Sequence, residues 1–282
     1  MAETRKLLAM DLDGTIVDSR HVMRPDTVAA LQALRRRGHV ICYVTGRRGY
    51  DMDRVPYQYD CADYVLLNTG TCAVEVSTGR ELFHLYVDPA AAEQLIDACV
   101  RNGWQLYVIC DDGYGLNIVT EGSQDYARST GLPPRIFSGS GDFDLRHIQG
   151  FMVSRDRESI IGYISACGLP LNAVCSEPEC YDITPDGVGK WYAVERLAEQ
   201  LAIPVRNIVA MGNWLNDLEM VQRAGIGVAV GDAIEELRRA ADYVTTRTHD
   251  EDAVLDVCRH CFGVTAEEII SHEQGEKNDA EI

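Results

Sequence analysis

"LLAMDLDGTIVDS" (residues 7–19) runs four apolar residues straight into two aspartates and a glycine. An apolar run closed by a glycine is ordinary for a strand that ends in a turn. Two carboxylates at that exit are not. Asp11 and Asp13 are two apart, so extended backbone would point them the same way. Their charges repel and each loses water, so the pair needs something to hold.

The flanking sequence gives the strand its setting. "RPDTVAALQALRRRG" (24–38) reads as a helix, with Pro25 near its first turn, apolar residues at helical spacing and Gly38 as the stop. "HVICYVT" (39–45) and "DYVLL" (63–67) read as further strands, and this βαβ order predicts a parallel sheet with helices on its faces. "AVEVSTGRELFHLYV" (73–87) predicts a hairpin turning at Ser77 to Gly79.

From Tyr86 the texture changes. A helix (88–103), a strand (104–110), the turn "DDGYG" (111–115), a strand (115–120), and a helix (158–168) between the strands "IQGFMVS" and "LNAVCS" predict a compact α/β insert over 86–180. Its Gly-, Pro- and Ser-rich stretch "TGLPPRIFSGSGD" (130–142) reads as its least structured part. After "YDITPDGVGK" (181–190) the first pattern returns. "WYAVERLAEQLAI", "WLNDLEMVQRAG", "AIEELRRAA" and "DEDAVLDVCRHC" read as helices, and "NIVAM", "GVAV" and "DYVTT" as strands. The expected class is therefore α/β. A Rossmann-like parallel-sheet core (1–85 and 181–265) carries helices on both faces, an inserted cap (86–180) and a polar, disordered tail (266–282).

Composition narrows the function. The formal charge of −18 over 282 residues argues against a nucleic-acid backbone or an anionic membrane as partner. No apolar stretch approaches the ~20 residues of a spanning helix, and the first residues show no signal-peptide pattern. Ten cysteines lie scattered, several in apolar runs (Cys42, Cys99, Cys110, Cys167), which suits buried reduced thiols and a cytoplasmic protein; its state, monomer or homodimer, has no mark in the sequence. Cys258 and Cys261 have CxxC spacing but no second ligand pair, so a terminal helix with small apolar positions is the plainer reading.

Ligands on such sheets bind beyond the carboxyl ends of the strands. Asp11 and Asp13 fall there, and so do Thr45, Gly46 and Arg47 after the second strand. Gly212, Asn213, Asn216 and Asp217 follow "NIVAM", and Lys190 precedes the returning helix. Carboxylates, a hydroxyl and an ammonium on one edge point to a divalent cation with an anion. Hard oxygen ligands suit Mg²⁺, which often bridges to phosphate, while Lys190 and the Thr45 hydroxyl suit phosphate oxygens.

"DLDGT" (11–15), Thr45 in "VTGR", Lys190 in "GVGK" and "GNWLND" (212–217) resemble, in order, the four motifs of the haloacid-dehalogenase-like hydrolases. The large insert, "ITPDGVGK" and "GIGVAVGDAIEELRRAADYVT" are similar to the Cof-type sugar-phosphatase branch. The resemblance covers nearly all of residues 5 to 262 and implies a Mg²⁺-dependent phosphatase of a small phosphorylated metabolite. By its pattern Asp11 attacks phosphorus and Asp13 serves as acid and base. Thr45, Gly46, Asn216 and Lys190 bind the phosphoryl group. Asp11, the Asp13 carbonyl, Asn213 and Asp217 serve the metal. The pattern has aspartate at the second place of the fourth motif; this chain has Asn213, a neutral amide.

Other candidates keep two readings. Asn68 in "LLNTGT" is a substrate contact or a turn cap. Arg47 faces substrate or solvent. Asp111, Asp112, Tyr114 and Asn117 around "DDGYG" bind substrate hydroxyls or form a plain hairpin. The same motifs would also serve a weakly catalytic sensor of a phosphorylated ligand, or a phosphosugar mutase.

Overall fold

The computed structural model describes residues 4–52, 61–264 and 268. Strand β1 (Leu7–Met10) is buried at all four positions, as a parallel strand covered on both faces must be. It pairs in parallel with β2 (Val40–Val44) on one side and β12 (Ile208–Gly212) on the other. Beyond β2 lie β3 (Tyr64–Leu67) and the antiparallel hairpin of β4 (Cys72–Glu75) and β5 (Arg80–His84). Beyond β12 lie β13 (Ile226–Ala229) and β14 (Tyr243–Val244), both parallel. The chain leaves β1 toward β2 and returns to it at β12, so the switch in strand order sits beside the Asp11 exit.

Helices cover this sheet. In α1 (Pro25–Arg36) the buried residues Thr27, Ala30, Leu31, Ala33 and Leu34 make one face, and α1 packs on α9 (Ala253–Phe262). A short α2 (Gly49–Met52) follows β2, and α6 (Lys190–Gln200), α7 (Leu218–Arg223) and α8 (Glu235–Ala240) complete the core.

The insert forms its own sheet. Its order is β10 (Leu171–Glu177), β11 (Cys180–Pro185), β9 (Ile148–Val153), β6 (Tyr107–Cys110), β7 (Gly113–Leu116) and β8 (Arg135–Ile136). Helices α3 (Pro89–Asn102) and α5 (Arg157–Cys167) give Leu95, Ile96, Ile160 and Ile164 to the apolar layer on one face. Tyr107, Tyr114 and Met152 make the other, with Tyr126 of α4 (Glu121–Thr130).

Four local expectations change. β11 joins the cap sheet, so cap structure runs through Pro185 rather than stopping at 180. Helix α4 sits where no helix was expected, started by Thr120, whose hydroxyl accepts from the Ser123 amide. The stretch 214–225 is a 3₁₀ turn (Leu215–Asp217) before α7 rather than one helix. Cys167 is exposed at the end of α5, whereas Cys42, Cys99 and Cys110 are buried. All ten cysteines are free, and Cys258 and Cys261 are buried within α9. The polar tail lies outside the described residues, save residue 268. No helix of the described residues is long and apolar enough to cross a membrane.

Candidate active site

The site grows from the end of β1. The Asp11 amide donates to Met211 O on β12, tying the exit loop to the neighbouring strand. The amides of Thr15, Ile16 and Val17 all donate to Leu12 O, which curls the loop. Gly14 has φ +71°, and a side chain there would collide with the Asn213 amide. The glycine thus sets the backbone turn and lets the fourth motif pack against the first.

Asp11 is buried and doubly held. Thr15 Oγ1 donates to Oδ2 at 2.9 Å, and Lys190 Nζ donates to Oδ1 at 2.6 Å. Lys190, at the start of α6, also donates to Asp217 Oδ1 at 2.6 Å. Asp217 spends its other oxygen on the Asn213 and Trp214 amides at 2.9 and 3.1 Å. Burial pushes the Asp11 carboxyl up to about 7; Lys190 pulls it down, and Asp217 and Asp13 push it up. Burial works against the Lys190 charge, but Asp11 and Asp217 raise its pKa above the ordinary value. The 2.6 Å contacts are those of a charged pair, so the ionised Asp11 is the form this geometry serves.

Asp13 is held from the second strand. Arg47 grips it with two hydrogen bonds of 2.7 Å, and His21 Nδ1 lies 3.3 Å away. Burial works toward a higher pKa, but the Arg47 hydrogen bonds and charge hold the carboxyl below its usual value. Thr45, buried at the end of β2, accepts the Arg47 amide at 3.1 Å and so fixes that turn.

These groups form the floor of a cavity of about 1190 Å³ between core and cap. Asp11, Asp13, Thr45, Gly46, Arg47, Asn213 and Asn216 line it, while Lys190 and Asp217 lie buried beneath. Cap residues Gln105, Tyr107, Ser123, Tyr126, Met152 and Glu177 line the opposite side. Arg48 and Asp182 join core to cap: their buried ion pair is 3.2 Å long, and Thr69 Oγ1 donates to Asp182 at 2.7 Å. None of these cap residues, nor Arg48 or His21, carries a signal in the sequence, since each reaches the site only through the fold.

The hairpin candidates sit elsewhere. Asn117 bridges the backbone before β6, accepting from Leu106 N at 2.9 Å and donating to Trp104 O at 2.7 Å. Tyr114 is buried in the cap and donates to Leu132 O. Asp112 is exposed and pairs with Arg135. Asp111 lines a separate, smaller cavity. Asn68 is buried with its amide donating to Thr71 Oγ1 and Gln149 Oε1, in the manner of a turn lock. Arg47, by contrast, faces the cavity.

Three carboxylates, Asp11, Asp13 and Asp217, here face two cations, Lys190 and Arg47, leaving an excess of negative charge on a largely desolvated floor. The Asp11 carboxylate, the Asp13 carbonyl and the Asn213 amide oxygen are all hard donors, a set that fits Mg²⁺.

Residues 8–258 match the family described as haloacid dehalogenase-like hydrolase. Phosphatase YwpJ of Bacillus subtilis is 25% identical over 284 residues, covering 90% of this chain and 99% of that protein. An HMP-PP phosphatase of Klebsiella pneumoniae is 25% identical over 266 residues, covering 90% and 92%. A haloacid dehalogenase-like hydrolase structure from B. subtilis superposes with a TM-score of 0.79 at 23% identity, covering 90% and 99%. The chain belongs to the haloacid dehalogenase-like hydrolases, of the Cof type.

Proposed function

We propose that this family member is a Mg²⁺-dependent phosphatase that hydrolyses a small phosphorylated metabolite, a sugar or polyol phosphate, through an aspartyl-phosphate on Asp11. The observation that carries the reading is the Asp11 carboxylate fixed by Lys190 and Thr15 at the floor of a cavity it shares with Asp13.

The incoming phosphoryl group is held by Lys190, Thr45 and nearby backbone amides. Asp11 Oδ attacks phosphorus: a P–O bond to Asp11 forms and the ester P–O bond breaks. The leaving alkoxide takes its proton from Asp13. A water then attacks the aspartyl-phosphate while Asp13 accepts its proton, releasing phosphate and restoring Asp11. Asp11, the Asp13 carbonyl and Asn213 would hold Mg²⁺, with Asp217 aligning Lys190 behind them, and the bound ion would supply charge neutralisation at the phosphoryl oxygens. In the resting geometry Arg47 keeps Asp13 ionised. A phosphate dianion competes for that guanidinium, and its withdrawal frees Asp13 to take up the proton it must donate. Arg47 therefore couples substrate arrival to the acid step.

The rest of the substrate falls to the cap. Tyr107, Tyr126 and Glu177 offer hydroxyl and carboxylate groups suited to sugar hydroxyls. Ten free thiols suit a reducing cytoplasm. The test is a panel of phosphate esters assayed for phosphate release with Mg²⁺. Release from small polyhydroxylated esters supports the reading. An isomerised sugar phosphate with no free phosphate replaces it with a mutase, and no product at all leaves a binding protein.

A further inference from the structure

A second cavity, of about 340 Å³, opens at the seam between core and cap, away from the Asp11 site. The edge hairpin of the core contributes Cys72, Glu81 and His84 to it, and the cap contributes Asp111 and Gln149. Cys72 and His84 are direct partners across β4 and β5. Glu81 would ordinarily face away from His84, three residues on. The register shifts between Ala73 and Val74, leaving Leu82 unpaired, and Val74 then faces Glu81. This bulge turns Glu81 onto the face of Cys72 and His84. One ligand atom from each of the three lies within 4.8 Å of the others.

The imidazole is poised between carboxylates. Its Nδ1 lies 3.4 Å from Glu81 Oε2, and its Nε2 lies 3.5 Å from Asp111 Oδ1. Nε2 is buried beside that Asp111 carboxylate, and Nδ1 meets the Tyr86 hydroxyl at 3.4 Å, a contact the ion would replace. A ligating histidine gives one nitrogen to the ion and the other to a carboxylate: Nδ1, on the Glu81 side, suits the ion, and Nε2 faces Asp111.

We propose that Cys72, Glu81 and His84 form a second metal site, for a borderline cation of the Zn²⁺ type. A thiolate, an imidazole and a carboxylate together select such an ion, whereas Mg²⁺ prefers oxygen alone. Binding breaks the Cys72 S–H bond and releases one proton to solvent as the metal–sulfur bond forms, so affinity rises with pH. Without an ion the thiol is unfavourable to ionise: burial, Glu81 and Asp111 push it up to about 12. The same negative surroundings favour a cation. Asp111 belongs to the cap and the three ligands to the core, so an occupied site ties the two at their seam.

The test uses chelator-stripped full-length protein titrated with Co²⁺ in excess Mg²⁺, which keeps the Asp11 site filled. The expected result is one equivalent bound with a thiolate-to-cobalt charge-transfer band, displaced by Zn²⁺ and absent in Cys72→Ser. Glu81 is exposed, so Glu81→Gln should fold normally; it should weaken Co²⁺ binding about tenfold or more and leave Mg²⁺-dependent phosphate release unchanged. A band that survives in Cys72→Ser, no band in the parent, or unchanged affinity in Glu81→Gln overturns the site.

Discussion

Lys190 is the group whose removal tests the charge design most directly. Its side chain is 1% exposed and both of its 2.6 Å partners are buried carboxylates. Lys190→Met keeps the apolar stem but leaves Asp11 and Asp217 facing each other without a counter-ion. Removing one partner of a buried pair costs about 3–5 kcal/mol. Both carboxylates keep other donors here, Thr15 for Asp11 and two amides for Asp217, so the lower half of that range is expected. Even that is a large part of a typical stability of about 5–15 kcal/mol. Adding Asp217→Asn removes one surplus charge while its amide oxygen can still accept from the backbone. The double variant should therefore recover about 1–2 kcal/mol relative to the sum of the single effects. Chemical denaturation in chelator reads all four proteins, and Mg²⁺ should return part of the loss in Lys190→Met. A cost under about 1 kcal/mol, or strictly additive effects, would refute the claim that these three side chains balance one another.

Asp11→Asn should cut phosphate release to below about a thousandth of the parent while the melting temperature stays within a few degrees; near-parent activity would sink the aspartyl-phosphate route. Arg47→Ala removes a charge-assisted contact worth about 1.5–3 kcal/mol and should lower kcat/KM by about 10- to 100-fold, mainly through KM, and an unchanged KM would deny Arg47 its contact with substrate. Asn213→Asp should lower the Mg²⁺ concentration for half-maximal activity about tenfold, or ~1.4 kcal/mol, and coincident titration curves would remove residue 213 from the metal. Asn117→Ala should cost about 1–3 kcal/mol in denaturation and leave the preferred ester unchanged, and a shift in preference would return it to substrate binding.

The core was legible because its strands are buried on both faces and its turns are marked. Leu7–Met10, Val40–Val44 and Ile208–Gly212 are continuous apolar runs, each ending in the residues that carry the chemistry. The cap was less so. α4 is built from "EGSQDYARST", with Ser123 and Thr130 its only buried positions, so there is little apolar period to read. β11 reads as returning core because "DITP" leads without a turn into the glycine loop before Lys190. Its allegiance is decided by pairing with β9 and β10, a non-local choice that no local pattern records.

The site divides along the same line. Asp11, Asp13, Lys190 and Asp217 stand at the ends of elements whose order is fixed by the sheet, so their meeting followed from topology. Asn117 and Asp111 looked alike as polar residues beside a turn, yet one satisfies two backbone groups and the other faces a histidine at the seam. A polar side chain near a turn serves whichever unpaired group the fold brings to it, and only tertiary packing says which. Arg47 shows the converse. Its neighbour Thr45 holds its amide, which turns the guanidinium back over Asp13. The same arginine in a looser turn would be a solvated surface cation. What makes it part of the site is the 2.7 Å grip on the carboxylate that, in the proposed route, later carries a proton. In the proposed route a substrate dianion competes for that grip, so Asp13 can rest ionised and still take up the proton it donates.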